Sequence, residues 1–282
     1  MNQRAIHSYT WIPKWSTKDG AYAIERAAAF GYGRIVVPIR DHDSIEPAAI
    51  ASLCEKAGIR PIATSPLQVD NDISSTDPEV HRRGIERHCA ALSLARDMGA
   101  DRMGGILYSA FGKASKVPGE ANFQAAADGL RIVAERAASQ GMLLALEVVN
   151  RYETNLINTA EQAVRMIELI GAGNVRVHLD TFHMNIEEDD MLGALERAMP
   201  HLGYFEIDQN HRGRLTQGSI DFAPMLRRLK AANYQGLIGV EAFSSAVSHP
   251  DITAGVASWR NLFSHGDEVA REGQLLLDQH GF

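Results

Sequence analysis

The sequence has few cysteines and no long apolar run, and each absence excludes a class of protein. Its two cysteines, Cys54 and Cys89, both lie in helix-like stretches, so nothing indicates a disulfide framework or a cysteine metal site. No run approaches the ~20 apolar residues that span a bilayer, and residues 1–15 lack the apolar core of a signal peptide. We therefore expect a cytoplasmic protein with reduced cysteines and no membrane partner.

The chain also lacks charge blocks, linkers and low-complexity segments. Its net charge is −7, but no stretch of one sign stands out, which argues against nucleic acid as a partner. A composition of 45% hydrophobic and 22% charged residues is typical of a globular protein with a large core. Length alone, at about 150 residues per domain, suggests two domains, but barrels of about 250 residues commonly form one. We expect residues 1–282 to form a single domain.

Short β-rich runs alternate with helix-like segments eight times along the chain. The runs begin near residues 5, 34, 59, 102, 142, 175, 202 and 236. Several helix-like segments end in glycine, as at Gly58, Gly99 and Gly141. Eight βα units in this length predict a (β/α)8 TIM barrel, and a flavodoxin-like open sheet is the alternative. The stretch from about Ile252 to His280 predicts a long C-terminal helix.

Four acidic residues stand at or just past the ends of the last four predicted strands. They are Glu147, Asp180, Glu206 and Glu241. Because the carboxyl ends of barrel strands converge on one face, these side chains should meet there. Converging carboxylates repel one another unless a cation lies among them, and oxygen ligands favour Mg²⁺ or Mn²⁺ over Zn²⁺. The sequence therefore predicts a divalent metal site; the alternative is that these residues pair with basic side chains or cap helices.

Two long motifs carry a resemblance to a known family. LALEVVNRYETNLINTAEQA and VRVHLDTFHMNIEEDD resemble the ketose 3-epimerases, a branch of the xylose-isomerase-like TIM barrels. The likeness continues through GGILYSAFGK and GLIGVEAF, and so covers most of the chain. The resemblance implies a metal-dependent enzyme that inverts C3 of a free ketose through a cis-enediolate. It also implies a homodimer or homotetramer, with Mn²⁺ as the expected ion and Mg²⁺ or Co²⁺ as alternatives.

The resemblance assigns roles to particular residues. Glu147 and Glu241 would bind the metal and also form the acid–base pair on the two faces of C3, since inversion needs a proton acceptor and a donor on opposite sides. Asp180 would be a metal ligand only. The substrate oxygens near C1 and C2 would be held by Glu153, His183 and Arg212. An aldose–ketose isomerase is an alternative activity for the same site.

The chain departs from the family pattern on predicted strand seven. Where the epimerases carry a histidine ligand, this chain has Glu206, and the family's acidic residue three positions on is Gln209 here. A carboxylate can still coordinate a metal, although its charge would weaken the ion's pull on a substrate carbonyl. The alternative is that Glu206 points away from the ion.

A second departure is Arg40, at the end of predicted strand two in VVPIRD. A guanidinium at this place could bind a carboxylate or phosphate of the substrate. The alternative is a salt bridge to Asp41, Asp43 or a nearby loop acid. If Arg40 binds the substrate, that substrate is a sugar acid, and a metal-dependent decarboxylase of a 3-oxo sugar acid becomes the alternative function.

The remaining histidines carry weaker signals. His42, His81 and His88 are expected at the surface. His178, two residues before Asp180, should line either the mouth of the barrel or its core.

Overall fold

The computed structural model describes residues 3–282, which form a closed barrel of eight parallel strands. The strands are β1 Arg4–His7, β2 Arg34–Pro38, β3 Arg60–Thr64, β4 Arg102–Gly105, β5 Leu143–Val148, β6 Val175–Asp180, β7 Leu202–Ile207 and β8 Leu237–Val240. Each strand pairs with the next, and β8 pairs with β1. The predicted (β/α)8 barrel is confirmed.

Helices cover the outside of the barrel. They are α1 Thr17–Ala29, α2 Pro47–Ala57, α3 Pro78–Asp97, α4 Glu120–Ala138, α5 Ala160–Ile170, α6 Thr181–Glu187, α7 Met191–Ala198, α8 Ala223–Ala231, α9 Pro250–Gly255 and α10 Gly266–Gln279. Within residues 3–282, no helix has the length and apolar character needed to cross a membrane.

Local sequence signals explain where several helices begin and end. Helix α5 begins with a capping box in which the Thr159 side chain accepts from Gln162 N and the Gln162 side chain accepts from Thr159 N. It ends at Gly171, whose φ of 67° is the left-handed conformation that glycine adopts without strain. Helix α2 ends in the same way at Gly58, with φ 69°. The glycine signals in the sequence therefore mark real helix ends.

Most of the apolar core lies between the strands and the surrounding helices. Alternate residues of each strand point outward to this layer and inward to the barrel. A smaller apolar cluster lies apart from it, composed of Ala5, Val36, Ile62, Tyr204 and Leu237. Gly239 on β8 makes room for Tyr204, because a Cβ there would lie 2.0 Å from the Tyr204 hydroxyl. Tyr204 therefore forms part of the floor beneath the mouth of the barrel.

The C-terminal segment differs in extent from its prediction. A C-terminal helix is present, but α10 begins only at Gly266 and is separated from the short α9 by residues 256–265. This intervening segment is held by Ser244, whose Oγ accepts from Leu262 N and Phe263 N and donates to Phe263 O. Hydrogen bonds to Ser244 thus take the place of the backbone hydrogen bonds of the continuous helix that the spacing of apolar residues predicted.

The predicted surface position of His88 is wrong. The side chain is fully buried on α3, and its Nε2 lies 2.9 Å from Leu107 O. Its neighbours on the same helical face, Gly84, Ala91 and Leu92, are buried as well.

Candidate active site

A cavity lies at the C-terminal mouth of the barrel, with an empty volume of about 870 Å³ that includes space open to solvent. Six of the eight predicted site residues line it: Arg40, Glu147, Glu153, Glu206, Arg212 and Glu241. The other two, Asp180 and His183, are buried next to Glu147. The fold thus brings together side chains that are up to 201 positions apart in the chain (241 minus 40).

The four predicted carboxylate ligands are linked through overlapping groups rather than one tight cluster. Possible ligand atoms of Glu147, Asp180 and His183 lie within 4.8 Å of one another, as do those of Glu147, His178 and Glu206. A third such group contains Asp180, Asp208 and Glu241. Glu147 and Asp180 each belong to two groups, and so connect Glu206 to Glu241 around the mouth.

Asp180 combines a structural role with a free ligand atom. Its Oδ1 accepts from Phe182 N at 2.7 Å and from His183 N at 3.2 Å, and thereby caps α6. Its Oδ2 is buried and has no hydrogen-bond partner within residues 3–282. The alternative of helix capping is correct for one oxygen, while the other oxygen remains available to a cation.

Glu206 points into the mouth, but both of its oxygens already have neighbours. Its Oε1 accepts from the Tyr204 hydroxyl at 2.7 Å, and its Oε2 lies 3.0 Å from His178 Nε2. The rings of Tyr204 and His178 are stacked at 4.0 Å. Glu206 therefore lines the cavity, with each carboxylate oxygen in contact with one neighbouring side chain.

Arg212 is the cationic centre of the site. Its guanidinium donates to Asp208 Oδ2 at 2.9 Å, to Glu153 Oε1 at 3.0 Å and to Glu241. The rings of Phe182 and Phe243 lie 4.6 and 4.7 Å from its Cζ. One buried guanidinium therefore orders three buried carboxylates, and Glu241 forms an ion pair with a basic side chain.

Two neutral histidines direct N–H groups toward the predicted acid–base pair. Burial lowers the pKa of His7 and of His183 to about 4, so both rings are neutral near pH 7. The Nδ1 of His183 accepts from Asn150 N and that of His7 from Tyr9 N, which leaves the proton on each Nε2. These Nε2 atoms lie 3.6 Å from Glu147 Oε1 and 3.7 Å from Glu241 Oε1, too far for direct hydrogen bonds.

The charge balance of the site fits a divalent cation. Burial, together with repulsion between carboxylates, raises the pKa values of Asp180, Glu206 and Asp208 well above the ordinary range. Burial also raises the pKa of Glu147, whereas Arg212 and His7 outweigh burial and lower that of Glu241. Buried atoms without hydrogen-bond partners among residues 3–282 include Asp180 Oδ2, Asp208 Oδ1 and His183 Nε2. Carboxylate oxygens with excess negative charge are the donors that Mg²⁺ and Mn²⁺ prefer.

Sequence reasoning missed Asp208. This side chain is fully buried just past β7 and approaches Asp180, Glu241 and Arg212. The spacing Glu206-x-Asp208 was the available signal, because residues two apart in a strand point to the same side. His178 does line the mouth, which was one of its two expected positions.

Arg40 follows β2 and lines the same cavity, and β2 stands opposite β6 in the eight-stranded barrel. Among residues 3–282, no acidic oxygen lies within 4 Å of its guanidinium, so the alternative of a salt bridge to Asp41 or Asp43 is wrong. Its Cζ lies 5.6 Å from the centre of the Phe111 ring. Asp41 instead caps the short 3-10 helix that follows it, where its Oδ1 accepts from Asp43 N.

Comparisons with known proteins agree with this geometry. The xylose isomerase-like TIM barrel family matches residues 16–278. The chain is 34% identical to an L-ribulose 3-epimerase of Methylomonas sp. (strain DH-1), over 97% of this chain and 96% of that protein. It is also 34% identical to a ketose 3-epimerase of Arthrobacter globiformis, over 96% and 94% of the two chains.

A solved structure shows the same likeness in three dimensions. The crystal structure of a D-allulose 3-epimerase from Methylomonas sp. in complex with D-allulose superposes with a TM-score of 0.95 and 33% identity. The match covers 99% of this chain and 96% of that one. The predicted family and the predicted class of enzyme, a sugar epimerase or isomerase, are therefore confirmed. The chain belongs to the xylose isomerase-like TIM barrels and, among them, to the ketose 3-epimerases.

Proposed function

We propose that this protein inverts C3 of a free ketose, with Glu147 and Glu241 as the acid–base pair. The observation that carries the proposal is that these two carboxylates stand at the mouth on β5 and directly after β8, each with a neutral histidine N–H within 4 Å. One carboxylate would remove the C3 proton from one face, and the other would return a proton to the opposite face. The displaced electron pair would rest on the C2 oxygen as a cis-enediolate until reprotonation.

Other residues would hold the substrate near C1 and C2. We assign this role to Glu153, His183 and Arg212, as the resemblance implies. His183 can donate from Nε2, and Arg212 has a rigid position because it donates to three carboxylates and packs against two aromatic rings. Such fixed donors need no reorganisation when charge develops on the substrate oxygens.

A divalent ion would complete the site. We assign Glu147, Asp180, Glu206 and Glu241 as its ligands and Mn²⁺ as the expected ion, with Mg²⁺ or Co²⁺ as alternatives. When bound, the ion would supply electrostatic stabilisation of the enediolate charge. The free Oδ2 of Asp180 and the raised pKa values of neighbouring carboxyls support a cation at this place.

The remaining expectations are proposals as well. We propose that residues 1–282 form one domain, that the protein acts in the cytoplasm, and that it assembles as a homodimer or homotetramer. Its partner would be a small sugar. The relatives do not favour the decarboxylase or the aldose–ketose isomerase, and release of carbon dioxide from a 3-oxo sugar acid would identify the former.

Deuterium exchange tests the acid–base assignment. In deuterated water with Mn²⁺, the wild-type protein should place deuterium at C3 of D-psicose or L-ribulose as epimerisation proceeds. Glu147→Gln and Glu241→Gln should each lower this rate by about 10²–10⁴-fold, because an amide cannot accept the proton. Glu168→Gln, on the exposed side of α5, is the matched control and should retain the wild-type rate. Near-wild-type exchange in either cavity variant would contradict the assignment.

A further inference from the structure

The two sides of the cavity differ in charge. The β5–β8 side contributes the carboxylates and Arg212, whereas the β2–β4 side contributes mainly apolar and small side chains. Within residues 3–282, Arg40 is the one charged residue on that second side. A ketose with C3 between Glu147 and Glu241, and with O1 and O2 near Glu153 and Arg212, would extend its far end toward Arg40.

Among residues 3–282, no acidic side chain forms an ion pair with the Arg40 guanidinium. The acids that follow it in sequence are used elsewhere or point outward: Asp41 caps the 3-10 helix His42–Ser44, and Asp43 is exposed. The carbonyl of Arg40 accepts from Arg87 Nη2 at 2.8 Å, which fixes the backbone at this point. The guanidinium itself is only partly exposed and lies over Phe111.

Arg212 cannot take over the binding of an anionic group. Its guanidinium donates to three carboxylates already, and these more than neutralise its charge. Carboxylates also surround the proposed metal site and offset part of the ion's charge. Apart from that ion, Arg40 is the cation among the lining residues that has no acidic oxygen of residues 3–282 within 4 Å, and its planar guanidinium matches carboxylate and phosphate oxygens.

We propose that Arg40 determines substrate class: beyond the neutral free ketose of the proposed function, the preferred ketose carries a carboxylate or phosphate at the chain end far from C1. This inference depends on the proposed epimerase function, because that function sets the direction in which the substrate lies. Phe111 would support the guanidinium from behind through its ring face, and so keep the N–H groups directed to the ligand. C3 chemistry would be the same as for a neutral ketose.

Substrate competition between neutral and anionic ketoses tests the proposal. The probes are D-psicose, D-psicose 6-phosphate and the hexuluronate in which C6 of D-psicose is a carboxylate. With Mn²⁺ present, kcat/KM is measured for each probe, and Kd is measured by calorimetry with the inactive Glu241→Gln protein. The wild-type protein should prefer at least one anionic probe over D-psicose by about tenfold or more, as charge-assisted hydrogen bonds are stronger than neutral ones. The two anionic probes separate a sugar acid from a sugar phosphate.

Variants of Arg40 show whether this residue is the cause. Arg40→Gln should remove the preference, and Arg40→Lys should retain part of it, since the ammonium keeps the charge without the planar fork. Arg260→Gln removes an exposed arginine that does not line the cavity, and should leave the preference unchanged. Thermal unfolding of each variant verifies that it is folded.

Two results would overturn the proposal. One is equal kcat/KM and Kd for neutral and anionic probes in the wild-type protein. The other is a preference that persists in Arg40→Gln. If D-psicose is epimerised and no preference is found, only the role of Arg40 fails; if no probe of either kind exchanges at C3, the epimerase function itself fails.

Discussion

Replacing Arg212 by methionine should destabilise the protein by an amount that the buried ion pairs determine. The variant keeps apolar contact with Phe182 and Phe243 but leaves three carboxylates without their shared cation. Breaking a buried pair by removing one partner costs about 3–5 kcal/mol. The three contacts do not add, because one guanidinium makes them all. We therefore expect a loss of about 3–5 kcal/mol in the free energy of unfolding.

This loss converts into a measurable change in Tm. At about 2.1 cal/mol/K per residue, 282 residues give an unfolding entropy of about 0.6 kcal/mol/K. The expected decrease in Tm is therefore about 5–8 °C, measured by calorimetry on chelator-treated protein near pH 7.5. Arg228→Met is the matched control, because its pair with Glu196 is exposed and should contribute less than about 1 kcal/mol.

The pH dependence provides a second readout of the same variant. In the wild-type protein, Arg212 is the main reason that the pKa of Glu241 is lowered despite burial. A lowered carboxyl pKa stabilises the fold above the unfolded value near 4.5, and this stabilisation is lost as the pH falls through the folded pKa. The difference between Arg212→Met and wild type should thus be largest near neutral pH and should narrow toward pH 4. A Tm decrease below 2 °C, or a decrease that does not vary with pH, would refute the reasoning.

Two further perturbations have defined outcomes. Mn²⁺ at a fixed concentration of about 100 times its Kd at pH 8 should stabilise chelator-treated protein by about 2.7 kcal/mol at pH 8, and by less at pH 5. The reason is that the pKa of the Asp180 carboxyl is raised, so this group binds a proton more readily at low pH. The proton stabilises the metal-free fold and competes with the ion. Equal increases in Tm on adding Mn²⁺ at pH 5 and at pH 8 would contradict this. Gly239→Ala places a Cβ 2.0 Å from the Tyr204 hydroxyl and should lower the free energy of unfolding by about 1–3 kcal/mol in urea titrations. Gly173→Ala, whose Cβ would meet no atom within 4 Å, should change it by less than about 0.5 kcal/mol.

The barrel and the main carboxylates could be predicted because their signals are local and periodic. β-rich runs at regular spacing indicate βα units, and an acidic residue at the end of such a run is placed at the mouth by the fold itself. Glu147, Asp180, Glu206 and Glu241 reach the mouth for this reason. The position follows from strand direction and does not require knowledge of side-chain conformation.

Features that depend on loop paths and side-chain conformation could not be predicted in the same way. Arg212 has a φ of 60° in a loop, and its contacts to Asp208 and Glu153 join segments that are far apart in sequence. The sequence around Arg40 is compatible with an ion pair or with a ligand contact. The deciding feature is the side chain of Asp41, which turns to accept a hydrogen bond from Asp43 N. Residues 256–265 have helical spacing of apolar residues. They are nevertheless not helical here, and the amides of Leu262 and Phe263 donate to the Ser244 hydroxyl instead of to helix carbonyls.

The fixed tautomers of His7 and His183 have a consequence for the working range of the site. Because each ring loses its charge already near pH 4, neither ring changes its donor pattern between mildly acidic and alkaline solution. Hydrogen bonds from these two imidazoles to a sugar should therefore not depend on pH between mildly acidic and alkaline solution. Neither of these two imidazoles should therefore set an acid limit on turnover, and a pH–rate profile would report on the other titratable groups of the cavity, the carboxyl groups among them.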